Sequence, residues 1–427
     1  MRSSRCCKAR IALGLLSILL LGGPALAQPP VPAPEESVYH TPPQVLVDMI
    51  DAPPTPEVSI DPTREWMLLL KQPSLPPISE LAERELRLAG LRIKPRINGP
   101  SRTKFLNGLE LLRISDLSRR EITGLPEGAR IENVRWSPDG SRVAFTNGVK
   151  DGLELWVAEV SSGTARRILD GRLSLVARVI PTWLRDSQTL VAALVPANRG
   201  PEPEASTTPT GPVIQENLGR TAPARTYQDL LKNTQDEKLF EHYLTAQAAK
   251  ITLDGQVTPL GSPGLLWRAE PSPDGKYLLV ETLHRPFSYL VPAARFPRKV
   301  EVWDLDGRVV RTIADLPLQE EIPITFGSDP TGPRGFSWRN DAPATLVWAE
   351  ALDGGDAGKE AAERDRLYML PAPFTGEKRP LVTLALRYSG VTWGGDDLAL
   401  VDEFWWKTRK TRTWMIKPGK GESARPE

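Results

Sequence analysis

The sequence predicts an all-β protein, a β-propeller of four-stranded blades, on three observations. The first is a recurring turn: W-S-P-D-G at 136–140 returns as P-S-P-D-G at 271–275. Pro sets φ, Asp can bond its own backbone two residues on, and Gly tolerates φ > 0. Each copy lies between apolar runs, so each predicts a hairpin. The second observation is order. Looser copies sit at 58–70, 180–194 (with Arg185, Asp186 and Ser187 at the turn), 336–349 and 391–401, which makes six anchors. The third is a second hairpin pattern after most anchors: a strand, a polar turn and another strand, at 153–169, 250–260, 300–313 and 366–384. Anchor plus second hairpin is four strands, the blade of a propeller. A β-sandwich with similar turns would not need six matches in order. Six anchors fit either a six-bladed ring or an incomplete seven-bladed one.

Composition agrees. Proline is 42 of 427 residues, about twice the usual ~5% share, as suits a turn-rich β protein. Twelve tryptophans, several inside the anchors, are expected to pack between neighbouring blades. Lys plus Arg number 54 and Asp plus Glu 53. That balance points to neither nucleic acid nor an anionic membrane surface as a partner.

Residues 1–27 read as a secretory signal peptide. Arg2, Arg5, Lys8 and Arg10 form a basic start, Ile11 to Leu21 an apolar core, and Ala25-Leu26-Ala27 a small-residue cleavage site. The chain is therefore expected to be exported, periplasmic or secreted. Cys6 and Cys7 both lie in this leader, so the mature chain would hold no thiol and no disulfide. No other segment is long and apolar enough to span a membrane. Residues 28–57 are proline-rich, with one short helix expected at Gln44–Asp51 before Pro53 and Pro54. The propeller is expected over 58–416 and a disordered tail over 417–427.

One insertion interrupts the blades, at 197–244. It begins as a polar Pro/Gly/Thr-rich loop. It ends in one or two helices, with Tyr227, Leu230, Leu231, Leu239, Phe240 and Tyr243 on an apolar face broken near Asn233. Long loops of this kind often carry function. A second insertion, 353–365, reads as a plain solvated loop.

Catalytic chemistry is missing from the motifs. His40, His242 and His284 are isolated, without metal-ligand spacing. No G-x-S-x-G occurs; Ser337 and Ser423 each lack the second glycine. Asp396 and Asp397 fit a turn better than an acid/base pair. No catalytic residue, metal site or cofactor is expected. The most unusual string is H-R-P-F-S-Y-L-V-P-A-A-R-F-P-R at 284–298. One reading is a proline-stiffened connection within a blade. The other makes Arg285, Tyr289 and Arg295 ligand-binding residues facing the propeller mouth, where Arg would pair the carboxylates of an acidic ligand.

With the repeats in place, further strings carry a resemblance. They include Y-H-T-P-P-Q-V-L-V-D-M-I-D-A-P-P-T-P (39–56), W-M-L-L-L-K-Q-P-S-L-P-P-I-S-E-L-A (66–82) and E-L-R-L-A-G-L-R-I (85–93). G-P-V-I-Q-E-N-L-G (211–219), H-R-P-F-S-Y-L-V-P (284–292) and E-F-W-W-K-T-R-K-T-R-T-W (403–414) complete the set. Over about 39 to 416 the chain resembles the N-terminal propeller of prolyl-oligopeptidase-type serine peptidases, within them the glutamyl endopeptidase branch. The resemblance implies a propeller that gates peptide substrate and caps an α/β-hydrolase domain with a Ser-Asp-His triad, cleaving after acidic residues. This sequence reaches Glu427 without that domain, so no triad residue is transferred. The expectation is a propeller portion, inactive alone, whose missing catalytic domain could act in trans. Such an open ring should self-associate through its exposed edges. The rival expectation is a stand-alone periplasmic TolB-like propeller that binds a protein or peptide.

Overall fold

The two full copies of the turn close in the same way. Ser137 Oγ donates to Asp139 Oδ1 at 2.6 Å, and the Gly140 N–H to the Ser137 carbonyl at 2.9 Å. In the second copy Ser272 Oγ donates to Asp274 Oδ1 at 2.7 Å, and the Gly275 N–H to the Ser272 carbonyl at 2.8 Å. Both glycines hold φ near +70° (70° and 71°). At Gly140 a Cβ would also lie 2.7 Å from Asp61 Oδ2, in the turn of the preceding anchor. Looser anchors use other chemistry for the same end. Asp61 accepts from the Glu65 and Trp66 N–H groups at 2.8 and 2.9 Å. Asp186 accepts from those of Gln188 and Thr189, both at 2.9 Å.

The computed structural model describes residues 42–204, 227–322 and 326–423. The leader read at 1–27, the first part of the proline-rich segment with His40, the string 211–219 and the last residues of the tail lie outside them. Helix α1, Gln44–Asp51, forms where expected.

The rest is a β-propeller, each blade a meander of antiparallel strands. Blade 1 contains β1 (Glu57–Ile60) and β2 (Trp66–Lys71). An insertion comes next, with α2 (Ile78–Leu81) and a small sheet of β3 (Leu86–Leu88), β4 (Leu91–Lys94) and β5 (Gly99–Pro100). The blade then finishes with β6 (Gly108–Arg113) and β7 (Arg119–Glu121). Blade 2 is β8 (Ile131–Trp136), β9 (Arg142–Val149), β10 (Gly152–Glu159) and β11 (Thr164–Leu169). Blade 3 is β12 (Thr182–Trp183), β13 (Thr189–Leu194), helix α3 (Thr234–Leu244), β14 (Thr245–Thr252) and β15 (Val257–Pro259). Blade 4 is β16 (Gly264–Pro271), β17 (Tyr277–Leu283), β18 (Arg298–Asp304) and β19 (Val309–Leu316). Blade 5 is β20 (Pro333–Trp338), β21 (Thr345–Ala351), β22 (Asp365–Pro371) and β23 (Arg379–Leu384). The sixth sheet has three strands among the described residues, β24 (Arg387–Trp393), β25 (Ala399–Trp405) and β26 (Lys410–Ile416). All six anchors are the first two strands of a blade. Residues Pro418–Ser423, expected in the disordered tail, form 3₁₀ turns instead, and the Gly419 N–H reaches the Asp396 carbonyl at 2.8 Å.

Successive residues of one strand feed different cores, because side chains alternate across a sheet. Leu278 and Val280 pack toward blade 3, while Leu279 packs toward blade 5. Leu346 and Trp348 face blade 4, and Val347 and Ala349 face blade 6. Burial on both faces explains why these strands read as unbroken apolar runs. The outward faces of the end sheets differ: Val58 and Ile60 of blade 1 are exposed, as are Leu400 and Met415 of blade 6.

Tryptophans join the blades, as the composition suggested. Trp136 Nε1 donates to Ser59 Oγ at 3.0 Å, Trp183 Nε1 to the Arg135 carbonyl at 3.1 Å, and Trp338 Nε1 to the Glu270 carbonyl at 3.0 Å. Each ties a first strand to the first strand of the blade before it.

The loop 353–365 is only in part the solvated loop expected. Asp353 and Asp365 are buried, and Arg387 from blade 6 reaches both, at 2.7 and 2.9 Å. Arg364 adds a 2.8 Å pair to Asp353 and lies over the Trp405 ring, 3.8 Å from its centroid. The charges at its two ends are thus paired in the interior between two blades, while Lys359, Glu360 and Glu363 in its middle are exposed, as a solvated loop would be. The signal missed was an Asp or Arg at each strand end: Asp353, Arg364, Asp365 and Arg387.

Candidate functional site

In an antiparallel meander all turns between first and second strands lie at one end, and all connections between second and third strands at the other. The anchor turns occupy the first end. The long insertions of blades 1, 3 and 4 all join second to third strands, so they share the opposite end. There they meet. Arg92 of β4 pairs with Asp229 at 2.7 Å, across 137 residues of sequence. The Ala293 N–H donates to the Ala89 carbonyl at 2.7 Å, and the Gly90 N–H to the Asp229 carbonyl at 2.8 Å.

Helix α3 is the centre of this face. It is one helix: Asn233, where the apolar face was expected to break, is its N-cap, accepting the Asp236 N–H at 2.9 Å. Residues 227–233 before it are not helical. Phe240, Tyr243 and Leu244 are its buried side, at helical spacing. Phe240 meets Phe287 and Phe296 edge-on, with ring centroids 5.2 and 5.6 Å apart. Leu88, Ile93 and Val291 close the same apolar cluster, so all three insertions contribute to it.

Two of the three residues singled out from sequence come together here. Arg285 reaches Glu237 at 2.6 Å and Glu241 at 2.8 Å, both on α3. The Tyr289 hydroxyl donates to Glu237 at 2.6 Å, and this bond first, then burial, pushes its pKa up to about 12. Burial would raise the Glu237 carboxyl, but Tyr289 and Arg285 outweigh it and hold it below its ordinary value. The carboxylates facing Arg285 are thus the chain's own. Arg295 lies apart, its guanidinium 5.8 Å from the Tyr227 ring centroid and 3.5 Å from the Gln319 carbonyl.

Sequence reasoning missed the open part of the face. Glu83, Arg84, Pro95, Arg96, Glu202 and Tyr243 line a depression of about 600 Å³. Arg84 donates to Glu202 through two nitrogens, at 3.0 and 2.5 Å, and Tyr243 donates its hydroxyl to the same carboxylate. The Arg84 bond chiefly holds Glu202 below its usual pKa. Beside it lies a cleft of about 340 Å³ that shares Glu83 and Arg96 and also contains Lys94, Arg130 and Glu132. Burial pushes the Glu132 carboxyl up, although Thr103 donates to it at 2.7 Å. Of these only Tyr243 stood out in the sequence, as part of the apolar helical face; the Arg84 and Glu202 that meet come from insertions more than a hundred positions apart, and Arg130 and Glu132 from the start of blade 2. Among the described residues no group of three His, Cys, Asp or Glu is placed to hold a metal ion. The arrangement can bind and orient a polar, extended ligand. Among the described residues the cleft's one hydroxyl held on a carboxylate is that of Thr103, on Glu132.

The chain is 42% identical over 397 residues to a protein of Oryza sativa subsp. japonica named probable glutamyl endopeptidase, chloroplastic, which covers 90% of this chain. It is 44% identical over 398 residues to the protein of the same name from Arabidopsis thaliana, again covering 90%. The chain is homologous to the glutamyl endopeptidases. It spans about two fifths of these relatives, 42% of the first and 41% of the second. No family model matches it. Solved structures with some likeness include the Pyrococcus horikoshii acylaminoacyl peptidase, at 12% identity and a TM-score of 0.42, covering 88% of this chain and 46% of that one. Another is the putative TolB from Agrobacterium tumefaciens, at 13% identity and a TM-score of 0.34, covering 78% and 82%.

Proposed function

We propose that these blades are the propeller part of a serine peptidase of the glutamyl endopeptidase kind, gating peptide substrate for a catalytic α/β-hydrolase domain that lies outside them. The observation that carries this reading is identity above 40% sustained over nearly the whole chain. The relatives are more than twice as long as the stretch they share with it, which leaves room for such a domain. Acyl transfer needs a nucleophile, a base and an oxyanion hole held together. In this proposal the blades contribute selection and orientation of the peptide on the face built by the insertions. On this reading the region hydrolyses nothing alone. The leader at 1–27 exports it to the periplasm or beyond, in keeping with relatives named for an organelle.

The test is made on the natural source. The gene is read beyond the codon for Glu427 in all frames for G-x-S-x-G, and cell fractions are labelled with a fluorophosphonate. A labelled species recognised by an antibody to residues 58–416, in the exported fraction, supports the reading. Intact expression with no such species would leave a non-catalytic binding scaffold instead.

A further inference from the structure

The balance of charge over the whole chain conceals a local excess. Strands β25 and β26 pair from Ala399 and Ile416 to Trp405 and Lys410, so residues 406–409 form the turn between them. That turn joins a second strand to a third and therefore lies at the end of the propeller that bears the insertions. Four cations fall within six residues there: Lys407, Arg409, Lys410 and Arg412, all exposed. Arg412 is answered by Glu403 at 2.9 Å. Lys407, Arg409 and Lys410 have no acidic partner among the described residues. The acids of the same hairpin are committed elsewhere: Glu403 is buried, and Asp402 accepts the Thr413 hydroxyl at 2.5 Å. Like charges held this close repel one another, and an anionic surface relieves that repulsion.

Apolar surface stands beside these charges. Phe326 is 74% exposed, and its ring centroid lies 6.0 Å from that of Trp406, the first residue of the turn. Its neighbour in the chain is fixed in place. The Gly327 carbonyl accepts from Arg387 at 3.0 Å, and a Cβ on Gly327 would run into the Trp406 indole. Trp405 is buried, with Arg364 over its ring. Leu352, 41% exposed, precedes Asp353 at the same joint of blades 5 and 6. An exposed ring flanked by unpaired cations on long stems suits the boundary between hydrocarbon and anionic headgroups. The ring enters the apolar side, while ammonium and guanidinium groups reach back to phosphate oxygens. We propose that this corner of blades 5 and 6 docks on an anionic phospholipid surface, with Phe326 inserted beside Trp406 and with Lys407, Arg409 and Lys410 on the headgroup phosphates. Charge alone would serve an acidic protein as well; the exposed phenylalanine favours the bilayer, which offers it hydrocarbon.

Vesicle binding involves no hydrolysis, so it stands or falls apart from the peptidase reading. The full chain is sedimented at low salt with vesicles of phosphatidylcholine alone, or of equal parts phosphatidylcholine and phosphatidylglycerol. The mixed vesicles should bind it at least about tenfold tighter, and high salt should remove most of that advantage. Lys407→Ser and Arg409→Asn should each weaken binding to the mixed vesicles about fivefold. Asparagine tolerates the φ of 57° that Arg409 holds in the turn, so the hairpin is kept. Phe326→Ser should weaken binding about tenfold, because the inserted ring is lost. Arg119→Met, on the outer strand of blade 1, should change it by less than about twofold. All these residues are exposed, so the variants should fold as the parent does. Equal binding to the two kinds of vesicle overturns the proposal. So does unchanged binding in Phe326→Ser, with soluble polyglutamate competing as well as the mixed vesicles do; that result assigns the cations to an acidic protein instead.

Discussion

The junction of blades 3 and 4 and the junction of blades 5 and 6 solve one problem with opposite chemistry. Between blades 3 and 4 the backbone itself continues: β14 pairs with β16 through Thr245–Leu265 and Ala246–Gly264. Above that joint sits the apolar cluster around Phe240, Phe287 and Phe296. Between blades 5 and 6 an ionic link is added to the apolar core that Val347 and Ala349 share with Ala399 and Val401: Arg387 is shared by Asp353 and Asp365. An apolar joint is non-directional and adapts to what packs on it. A buried ion pair is directional, and losing one partner strands the other in a low dielectric. The first joint supports the insertions that build the candidate site. The second ties the ends of the 353–365 insertion to the first strand of blade 6.

The largest expected effect falls on the ionic joint. Arg387→Ala leaves Asp353 and Asp365 buried with less compensation and should cost roughly 3–5 kcal/mol in chemical denaturation. If it costs no more than an exposed pair, the cluster is not the joint described. Phe240→Ala should cost about 3 kcal/mol, the low end for such a truncation, because a surface insertion can partly collapse into the space. Its signature is regional: amide exchange should quicken in 234–244 and stay unchanged in 387–405. A uniform change would show that the two joints are not independent. Trp338→Phe keeps the ring but loses the bond to the Glu270 carbonyl, and should cost about 1 kcal/mol. Arg285→Ala removes a half-exposed guanidinium from Glu237, Glu241 and the face of Phe287, so about 1 kcal/mol should be lost, and less in high salt.

Acid sharpens the same contrast. The Glu237 carboxyl has a folded pKa below its unfolded value. The stability it contributes is present above that unfolded value, near 4.5, and disappears as pH falls through the folded one. Asp329, beside the ionic joint, has the opposite sign. Burial raises its pKa despite Arg334 and Arg387, so protonating it relieves a penalty. Amide protection, corrected for the pH dependence of intrinsic exchange and followed from about pH 5 toward about pH 3, should therefore fall at α3 before it falls at the residues beside Asp329. The reverse order would refute this assignment of signs.

The anchor hairpins were legible because everything they need is local. Ser137, Asp139 and Gly140 make their own turn within four residues, and the apolar runs beside them specify strands buried on both faces. The first blade's second hairpin, β6 and β7, was harder to see. The 72–107 insertion separates it from its anchor, and β7, R-R-E, carries no apolar residue. The loop at 353–365 was misread because its composition is that of a solvated loop. Only the stacking of blade 6 on blade 5 brings Arg387 to it.

The sequence by itself thus determined the turns, the strand alternation, the order of the blades and the family. Each depends on residues near one another in the chain, or on strings long enough to compare. The tertiary structure decided who partners whom. Arg84 meets Glu202 across 118 residues, Arg285 finds α3 rather than facing an open mouth, and Arg199 is left without a carboxylate among the described residues. Those outcomes depend on where the blades place the ends of their insertions, which no local pattern encodes.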